Sequence, residues 1–323
     1  MDPISYIYNR LLSVKFTKQF IDRYFYSRSS IHYRMLEDQV RMNAYKRAIE
    51  QHVKPDDVVL DIGCGIGILS FLAAKNGCKK IYAVDNSPII KHAEKIAKNN
   101  GLEDKIKFYQ KDLFSLKLKC KVDVLLHEAI GAFVFDENLI KLINYAKKNF
   151  LKDGGRILPN KIDIFLAPVS YGTEIHKEID FWSKRQHGLE FKNMLELSMK
   201  NNISHSNKPI PIILQNKDKF LAEEKIICTI DLNTESEVPK HISVSFDAKK
   251  SDKLTGFCGF FKIYFDKQNY ISTTPQIKNT HWLQFFLPIY KTIFVKDNEK
   301  LNLELTLDEN IGKWKWNANI LNS

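Results

Sequence analysis

Residues 58–67 read VVLDIGCGIG, and this stretch decides the fold. A short apolar run is followed by glycines and then by an amphipathic run, so a buried strand is expected to turn into a helix here. Glycines in such a turn let the backbone approach a ligand closely, and the first turn of the helix offers unpaired N–H groups. The candidate ligand contacts in this turn are Asp61, Gly63, Cys64, Gly65 and Gly67.

The spacing of the glycines narrows the class of ligand. The form is G-x-G-x-G with an acid before it, which differs from the dinucleotide form G-x-G-x-x-G. Asp85 ends the next strand, where a carboxylate can accept both hydroxyls of a ribose, although it could also cap a helix. Asp112 ends a third strand and could meet an adenine amino group or stay a solvated loop acid. These features fit the S-adenosylmethionine (AdoMet) half of a class I methyltransferase better than a dehydrogenase.

The chain divides near residue 160. Before that point short apolar runs alternate with amphipathic stretches, which is typical of βαβ units and a parallel sheet. After it, strand-like segments follow one another with few helices between them, which favours an antiparallel sheet or barrel. The predicted strands are Val58–Ile62, Lys80–Val84, Ile106–Tyr109, Val122–Leu126, Ile162–Val169, Lys225–Asp231, His241–Phe246 and Leu254–Phe265. The predicted helices are Ile66–Asn76, Pro88–Asn100 and Asn138–Asn149.

Three parts follow from this division. Residues 1–50 are expected to form N-terminal helices that close over the cofactor, with Glu37–Glu50 the clearest helical segment. Residues 51–160 are expected to form the AdoMet-binding domain, and residues 161–323 a barrel domain with a helical arm at about 172–203. The predicted fold class is therefore α/β, a Rossmann-like methyltransferase domain followed by an antiparallel β-barrel.

Composition sets bounds on the kind of protein. A length of 323 residues predicts about two domains, and 44% apolar with 27% charged residues argues against disorder or a fibre. The net charge of +11 would attract anionic partners, but the lysines are scattered. A solvated lysine-rich surface is thus favoured over nucleic-acid binding.

The cysteines and the hydropathy pattern bear on location. Five cysteines lie far apart without a CxxC pair, which predicts reduced thiols inside a cell and neither a disulfide framework, a zinc site nor another metal. No window of about 18 apolar residues occurs, so no membrane segment is expected. The predicted location is the cytoplasm, with the nucleus open.

Two carboxylates, Glu128 and Glu137, bracket an apolar loop after the strand Val122–Leu126. Such a loop follows the carboxyl end of a sheet strand, where doubly wound folds bind ligands. Two carboxylates brought close repel one another unless a cation lies between them, and a guanidinium can pair with both. Without further context, two solvated loop acids would be the favoured interpretation.

Four motifs supply that context. The segment Glu128-x8-Glu137 resembles a double-E loop, and Thr280-His281-Trp282 resembles a T-H-W loop. The segment Ile31–Arg41 matches I-H-x-x-M-L-x-D-x-V-R, and Ile271-Ser272-Thr273-Thr274-Pro275 precedes the T-H-W loop. With the glycine turn, the chain resembles the protein arginine N-methyltransferase family from about Tyr24 to near its C-terminus.

The resemblance implies a role for each matching residue. Arg41 would pair with the carboxylate of AdoMet, Glu128 and Glu137 would clamp the substrate guanidinium, and His281 with Asp38 would lie near the acceptor nitrogen. The residues implied in cofactor binding are Met35, His32, Arg41, Asp61, Gly63, Cys64, Gly65, Gly67, Asp85, Asn86 and Asp112. Those implied in substrate binding are Glu128, Glu137, Tyr26 and Trp282. A homodimer through the 172–203 arm is also implied.

The sequence departs from the family pattern beside the acceptor pocket. Ala129-Ile130-Gly131-Ala132 stands where the family has Trp-Met-Gly-Tyr, and Asp22 stands where it has the first tyrosine of Y-F-x-x-Y. A protein arginine is the expected substrate, with free arginine or a small guanidino metabolite as the alternative. An AdoMet-binding scaffold without turnover and a nucleic-acid methyltransferase rank below both.

Overall fold

The computed structural model describes residues 27–131, 134–135, 138–205, 209–234, 237–275, 280–308 and 313–321. Helix α1 (Ser29–Glu37) and helix α2 (Gln39–His52) come first. The helical segment predicted over Glu37–Glu50 corresponds to α2, which begins two residues later because the chain turns at Asp38. The Asp38 carboxylate accepts a hydrogen bond from the backbone N–H of Arg41 at 3.0 Å and caps α2.

The first sheet is parallel and has five strands. They are β1 (Val58–Ile62), β2 (Lys80–Asp85), β3 (Ile106–Gln110), β4 (Val122–His127) and β5 (Leu151–Leu158), in the spatial order β3-β2-β1-β4-β5. Helices α3 (Ile68–Lys75), α4 (Ile90–Asn99) and α5 (Leu139–Phe150) connect them, with a short 3-10 turn at Leu113–Ser115. The order reverses between β1 and β4, so the turns that follow these two strands lie side by side at a topological switch point.

The later strands are antiparallel. They are β6 (Lys161–Val169), β7 (Ile210–Ile212), β8 (Lys225–Asp231), β9 (His241–Asp247), β10 (Asp252–Tyr264), β11 (Tyr270–Ser272), β12 (Gln284–Val295), β13 (Lys300–Asp308) and β14 (Lys313–Leu321). One sheet has the order β7-β12-β10-β6-β8 with β11 on β10, and a second has the order β14-β13-β9. Helices α6 (Glu174–Ser183) and α7 (Lys192–His205) leave this part as an arm. The predicted fold class is confirmed.

Helix α2 joins the two parts through its buried face. The amide of Asn269, in the turn before β11, donates to the backbone carbonyl of Ala44 at 2.9 Å. On the same turn Asp266 pairs with His52 at 2.7 Å. Because α2 packs on the parallel sheet and is held by the antiparallel one, residues on α2 have fixed positions relative to both. Within the described ranges no helix is both long enough and apolar enough to span a membrane.

Candidate functional site

The glycine turn after β1 uses backbone conformations that favour glycine. Gly63, Gly65 and Gly67 have φ of 69°, 53° and 85°, a region that side-chain-bearing residues rarely adopt. The backbone N–H groups of Gly63 and Cys64 both donate to the carbonyl of Val84 on β2. Helix α3 begins at Ile68, two residues later than predicted, because Gly67 has a left-handed backbone and still belongs to the turn.

The turn has one open side and two crowded ones. A Cβ placed on Gly63 would meet no atom of the described residues within 4 Å, whereas one on Gly65 would lie 3.0 Å from the imidazole of His32. A Cβ on Gly67 would lie 2.8 Å from the ring of Phe71. The open side of Gly63 is where a ligand can approach the backbone, and His32 packs over the next glycine, Gly65.

Asp61 has a structural role that the sequence did not predict, and its contact with a ligand stays a prediction. It is buried, and its Oδ2 accepts hydrogen bonds from the hydroxyl and the backbone N–H of Ser70 on α3 at 2.6 and 3.1 Å. Burial raises the pKa of Asp61 to about 6, against the lowering effect of Ser70. Asp61 therefore ties β1 to α3 through Oδ2, while its Oδ1 is buried without a hydrogen-bond partner among the described residues. Cys64 is also buried, and burial raises the pKa of its thiol well above the usual value.

Asp85 lies at the carboxyl end of β2 beside the glycine turn. Its Oδ2 accepts from the backbone N–H of Gly65 at 2.9 Å, and its Oδ1 accepts from the backbone N–H and the hydroxyl of Ser87 at 2.7 and 2.6 Å. A carboxylate offers about four acceptor positions, so these bonds leave one free. Both ribose hydroxyls could be accepted only if one of these bonds opened.

Asn86 and Asp112 lie at the edge of the same site. Asn86 is exposed next to Asp85. Asp112 caps the 3-10 turn after β3 by accepting from the backbone N–H of Phe114 at 2.9 Å. Its second oxygen is left for a ligand, so both the local cap and the predicted adenine contact are compatible with this geometry.

Four predicted residues come together at the carboxyl end of β4. Arg41 is 3% exposed, and its guanidinium pairs with Glu128 at 3.1 Å between Nη2 and Oε2. Oε1 of the same glutamate lies 3.8 Å from Nε2 of His281. Nδ1 of His281 lies 2.9 Å from Oδ2 of Asp38. The result is a continuous chain of contacts, Arg41–Glu128–His281–Asp38.

Asp38 fixes the orientation of the histidine. A carboxylate can only accept, so Nδ1 of His281 carries the hydrogen and Nε2 faces Glu128. Burial alone would raise the pKa of Asp38, but hydrogen bonds from the His281 side chain and from two backbone N–H groups outweigh it and lower the pKa. Asp38 thus stays charged at neutral pH while it holds the ring.

Arg41 also reaches the helix before it. Its Nη1 donates to the carbonyl of Met35 at 3.0 Å, and its Nε is buried without a hydrogen-bond acceptor among the described residues. The sulfur of Met42 lies 3.3 Å from the same Nη1. Met35 is therefore placed against the site through its backbone, and the Arg41 Nε is a donor that an anionic ligand would satisfy.

Trp282 has a different role from the one predicted. Its side chain is 4% exposed, and its indole N–H donates to the carbonyl of Ile130 at 2.6 Å. Its ring packs edge-on against Phe261. This burial argues against a substrate contact, since the polar atom of the side chain is used inside the protein. Trp282 instead pins the loop that follows Glu128. The predicted residues Glu137 and Tyr26 lie outside the described residues.

Sequence reasoning missed two side chains that support the site. Tyr45 is fully buried on α2, and its hydroxyl donates to the carbonyl of His127 at 2.9 Å. His127 is buried directly before Glu128, and its Nε2 lies 2.9 Å from the carbonyl of Pro159. Burial lowers the pKa of His127 to about 4, so it is neutral at pH 7. The helical spacing of Arg41 and Tyr45 was the available signal, because residues four apart share one face.

Comparison with known proteins decides the family. Residues 46–160 match the family model described as ribosomal protein L11 methyltransferase (PrmA), and residues 160–318 match the one described as arginine methyltransferase oligomerization subdomain. Protein arginine N-methyltransferase 6 of Danio rerio is 32% identical over 292 residues, covering 87% of this chain and 82% of that relative. The chain belongs to the protein arginine N-methyltransferase family. The family predicted from the motifs is confirmed.

Other members agree with this assignment. Protein arginine N-methyltransferase 1 of Saccharomyces cerevisiae is 31% identical over 304 residues, covering 87% of this chain and 85% of that relative. The structure of protein arginine methyltransferase 10 of Arabidopsis thaliana, described as a uniquely open conformation, has a TM-score of 0.79 at 25% identity and covers 92% of this chain and 95% of that chain. The Trypanosoma brucei PRMT1 enzyme-prozyme heterotetrameric complex with AdoHcy has a TM-score of 0.79 at 24% identity, with the same coverage, and shares the fold.

Proposed function

We propose that this chain is an AdoMet-dependent N-methyltransferase that acts on the guanidinium of arginine in proteins. The observation that carries the proposal is the chain of contacts from Arg41 through Glu128 and His281 to Asp38. It lies at the switch point of the parallel sheet, beside the glycine turn. The names of the relatives, which are protein arginine N-methyltransferases, support a protein substrate over a free amino acid.

The residues around the switch point fit AdoMet. Among the described residues, Gly63 leaves its side of the turn open, Asp85 keeps one acceptor position free, and the buried Arg41 Nε has an unused N–H. These groups match a ligand that has an adenosyl part and an α-carboxylate. When bound, AdoMet supplies a methyl group carried on a sulfonium cation.

Glu128 already holds a guanidinium, that of Arg41, so its position suits the binding of one. A substrate arginine is cationic because its pKa exceeds 12, and its charge is shared over three nitrogens. A carboxylate that contacts two of them holds the group in place and concentrates charge there, which leaves the third more nucleophilic. The proton released on transfer can pass from Glu128 to Nε2 of His281, because Nδ1–H is donated to Asp38 and Nε2 is the ring nitrogen left to accept it; Asp38 would stabilise the resulting cation. Glu137 is the second proposed clamp residue.

The test is methyl transfer from labelled AdoMet to an Arg-Gly-rich peptide and, in parallel, to free L-arginine. Label on the peptide that is lost in Glu128→Gln is the expected result. Glu50→Gln is the matched control, because Glu50 lies on the exposed side of α2 and pairs only with Lys46 in the described structure. Label on free arginine alone would move the activity to small-molecule metabolism. Binding of AdoMet without transfer to either acceptor would favour the scaffold alternative.

We further propose that two copies associate through the arm formed by α6 and α7. The match of the barrel part to an oligomerization subdomain supports association. The arm exposes a set of apolar side chains, namely Phe181, Leu189, Met194 and Leu197. Light scattering at micromolar concentration should give the mass of a dimer, and Leu189→Glu should give a monomer. Phe294→Glu is the control, since Phe294 is equally exposed on the barrel strand β12. A wild-type monomer would overturn the proposal.

The division into domains and the location stay proposals. The change from parallel to antiparallel strands between Leu158 and Lys161 supports a boundary near residue 160. The five cysteines all lie within the described residues and form no disulfide there, which supports a location in the cytoplasm or nucleus. A fluorescent fusion of the chain would test the location.

A further inference from the structure

Tyr45 contacts the Arg41 side chain and the backbone directly before Glu128. Its hydroxyl donates to the carbonyl of His127, which belongs to the peptide unit that joins His127 to Glu128. Its ring lies 5.5 Å from the guanidinium carbon of Arg41, within the range of a cation–π contact. A single side chain therefore contacts the backbone that carries the acid and the side chain that occupies it.

The tyrosine is itself held rigidly from the barrel side. The ring of Phe265 packs edge-on against it at 4.8 Å between centroids. The neighbouring carbonyl of Ala44 accepts the amide of Asn269 at 2.9 Å. His127 is held through its side chain as well, because Nε2 of its ring forms a hydrogen bond with the carbonyl oxygen of Pro159. Tyr45 thus links helix α2 to the end of β4 through its hydroxyl and to Phe265 after β10 through its ring, beside the loop that begins at Glu128.

Burial alone would explain a satisfied tyrosine hydroxyl, since buried hydroxyls find acceptors. The position of this hydrogen bond, directly before Glu128, has a further consequence. A peptide unit that rotates carries the next side chain with it, so this hydrogen bond sets the direction of the Glu128 carboxylate. Catalysis that depends on holding two reactants in line loses rate steeply when a contact group moves by about 1 Å.

We propose that Tyr45 is a positioning residue for methyl transfer, which fixes the Glu128 carboxylate through the His127–Glu128 peptide unit. This inference rests on the proposed function, because it concerns the rate of that reaction. Tyr45 does not contact the substrate in this scheme; it acts through Glu128.

The experiment compares Tyr45→Phe with wild type in the peptide methylation assay. The variant keeps the ring, and with it the contacts to Arg41 and Phe265, and removes only the hydroxyl. We expect kcat to fall about tenfold or more, while the Kd for AdoMet changes by less than about twofold. Tyr145→Phe is the matched control, because the Tyr145 hydroxyl also donates to a backbone carbonyl, that of Phe114, in the 3-10 turn after β3 and not next to Glu128.

A double-mutant cycle separates positioning from a general structural effect. If Tyr45 acts through Glu128, Tyr45→Phe should lower kcat by less than about threefold in a Glu128→Asp background, where the carboxylate is already displaced. An equal loss in both backgrounds, an unchanged kcat, or the same loss in Tyr145→Phe would each overturn the inference. Wild-type protein that methylates no arginine would instead refute the proposed function.

A second variant covers the case in which Tyr45→Phe does not fold. Phe265→Leu loosens the ring from its other side and keeps the hydroxyl. It should lower kcat about threefold in the wild-type background and not at all with Glu128→Asp. Urea unfolding of each variant, read by circular dichroism, shows which of the two carries the test.

Discussion

Replacing Asp38 by asparagine should weaken both the N-terminal helices and their attachment to the T-H-W loop. The carboxylate accepts one bond from the backbone of Arg41 and two from His281, one from the backbone and one from the ring. Asparagine has a single acceptor oxygen. If that oxygen stays with His281, the cap of α2 is lost, at about 1 kcal/mol. The two bonds to His281 also lose their charged acceptor, at about 1 kcal/mol each, so the free energy of unfolding should fall by about 3 kcal/mol.

The assay is urea unfolding at pH 7 and at pH 3. Asp38 has a folded-state pKa below its unfolded value, so its contribution is complete above about pH 4 and is lost as the pH falls through the folded pKa. The difference between wild type and Asp38→Asn should therefore shrink at pH 3. Asp112→Asn is the control, because Asp112 caps only the 3-10 turn, and it should cost less than about 1 kcal/mol. A difference below about 1 kcal/mol at pH 7, or one that persists unchanged at pH 3, would refute the reasoning.

Three further outcomes are expected. Trp282→Phe should lower the free energy of unfolding, measured in urea, by about 2–3 kcal/mol. The substitution leaves the carbonyl of Ile130 without its hydrogen-bond donor and creates a cavity. Gly63→Ala and Gly67→Ala should both lower the melting temperature, because both residues have positive φ, and Gly67→Ala should lower it further, because only its methyl group meets protein atoms; of the two variants, Gly63→Ala should raise the Kd for AdoMet more. In calorimetry Asp85→Ala should raise the Kd for AdoMet about tenfold or more, and Ser87→Ala should change it less than about threefold, as it only releases an acceptor position.

The parts of the fold that are local in sequence could be predicted. The glycine turn, the strands around it and the change of rhythm near residue 160 each depend on residues within one short window. Family motifs also placed Glu128, His281 and Asp38 in one site, and the structure brings them within contact. The motifs could identify these three side chains because the chemistry of the site requires particular residue types.

The parts that depend on distant partners could not be predicted. The bond that Asp38 makes to His281, 243 positions away, could not be read from the helical pattern around it. The bond between Asp61 and Ser70 likewise joins a strand to the next helix, and the glycine pattern does not indicate it. Trp282 reads as a substrate contact because its motif borders the pocket, but the direction of its ring is set by Phe261. Periodicity identifies which face is buried and leaves the partner on that face undetermined.

The bond between Asp38 and His281 has a consequence for synthesis of the chain. The glycine turn, β4 and Glu128 all leave the ribosome well before the histidine that completes the contact chain. At about 5–20 residues per second, the interval between the end of the parallel sheet and His281 is on the order of ten seconds. During that interval the nascent chain has no histidine to partner Asp38 or to take a proton from Glu128. The complete series of contacts from Arg41 to Asp38 therefore forms only after translation has passed the T-H-W loop.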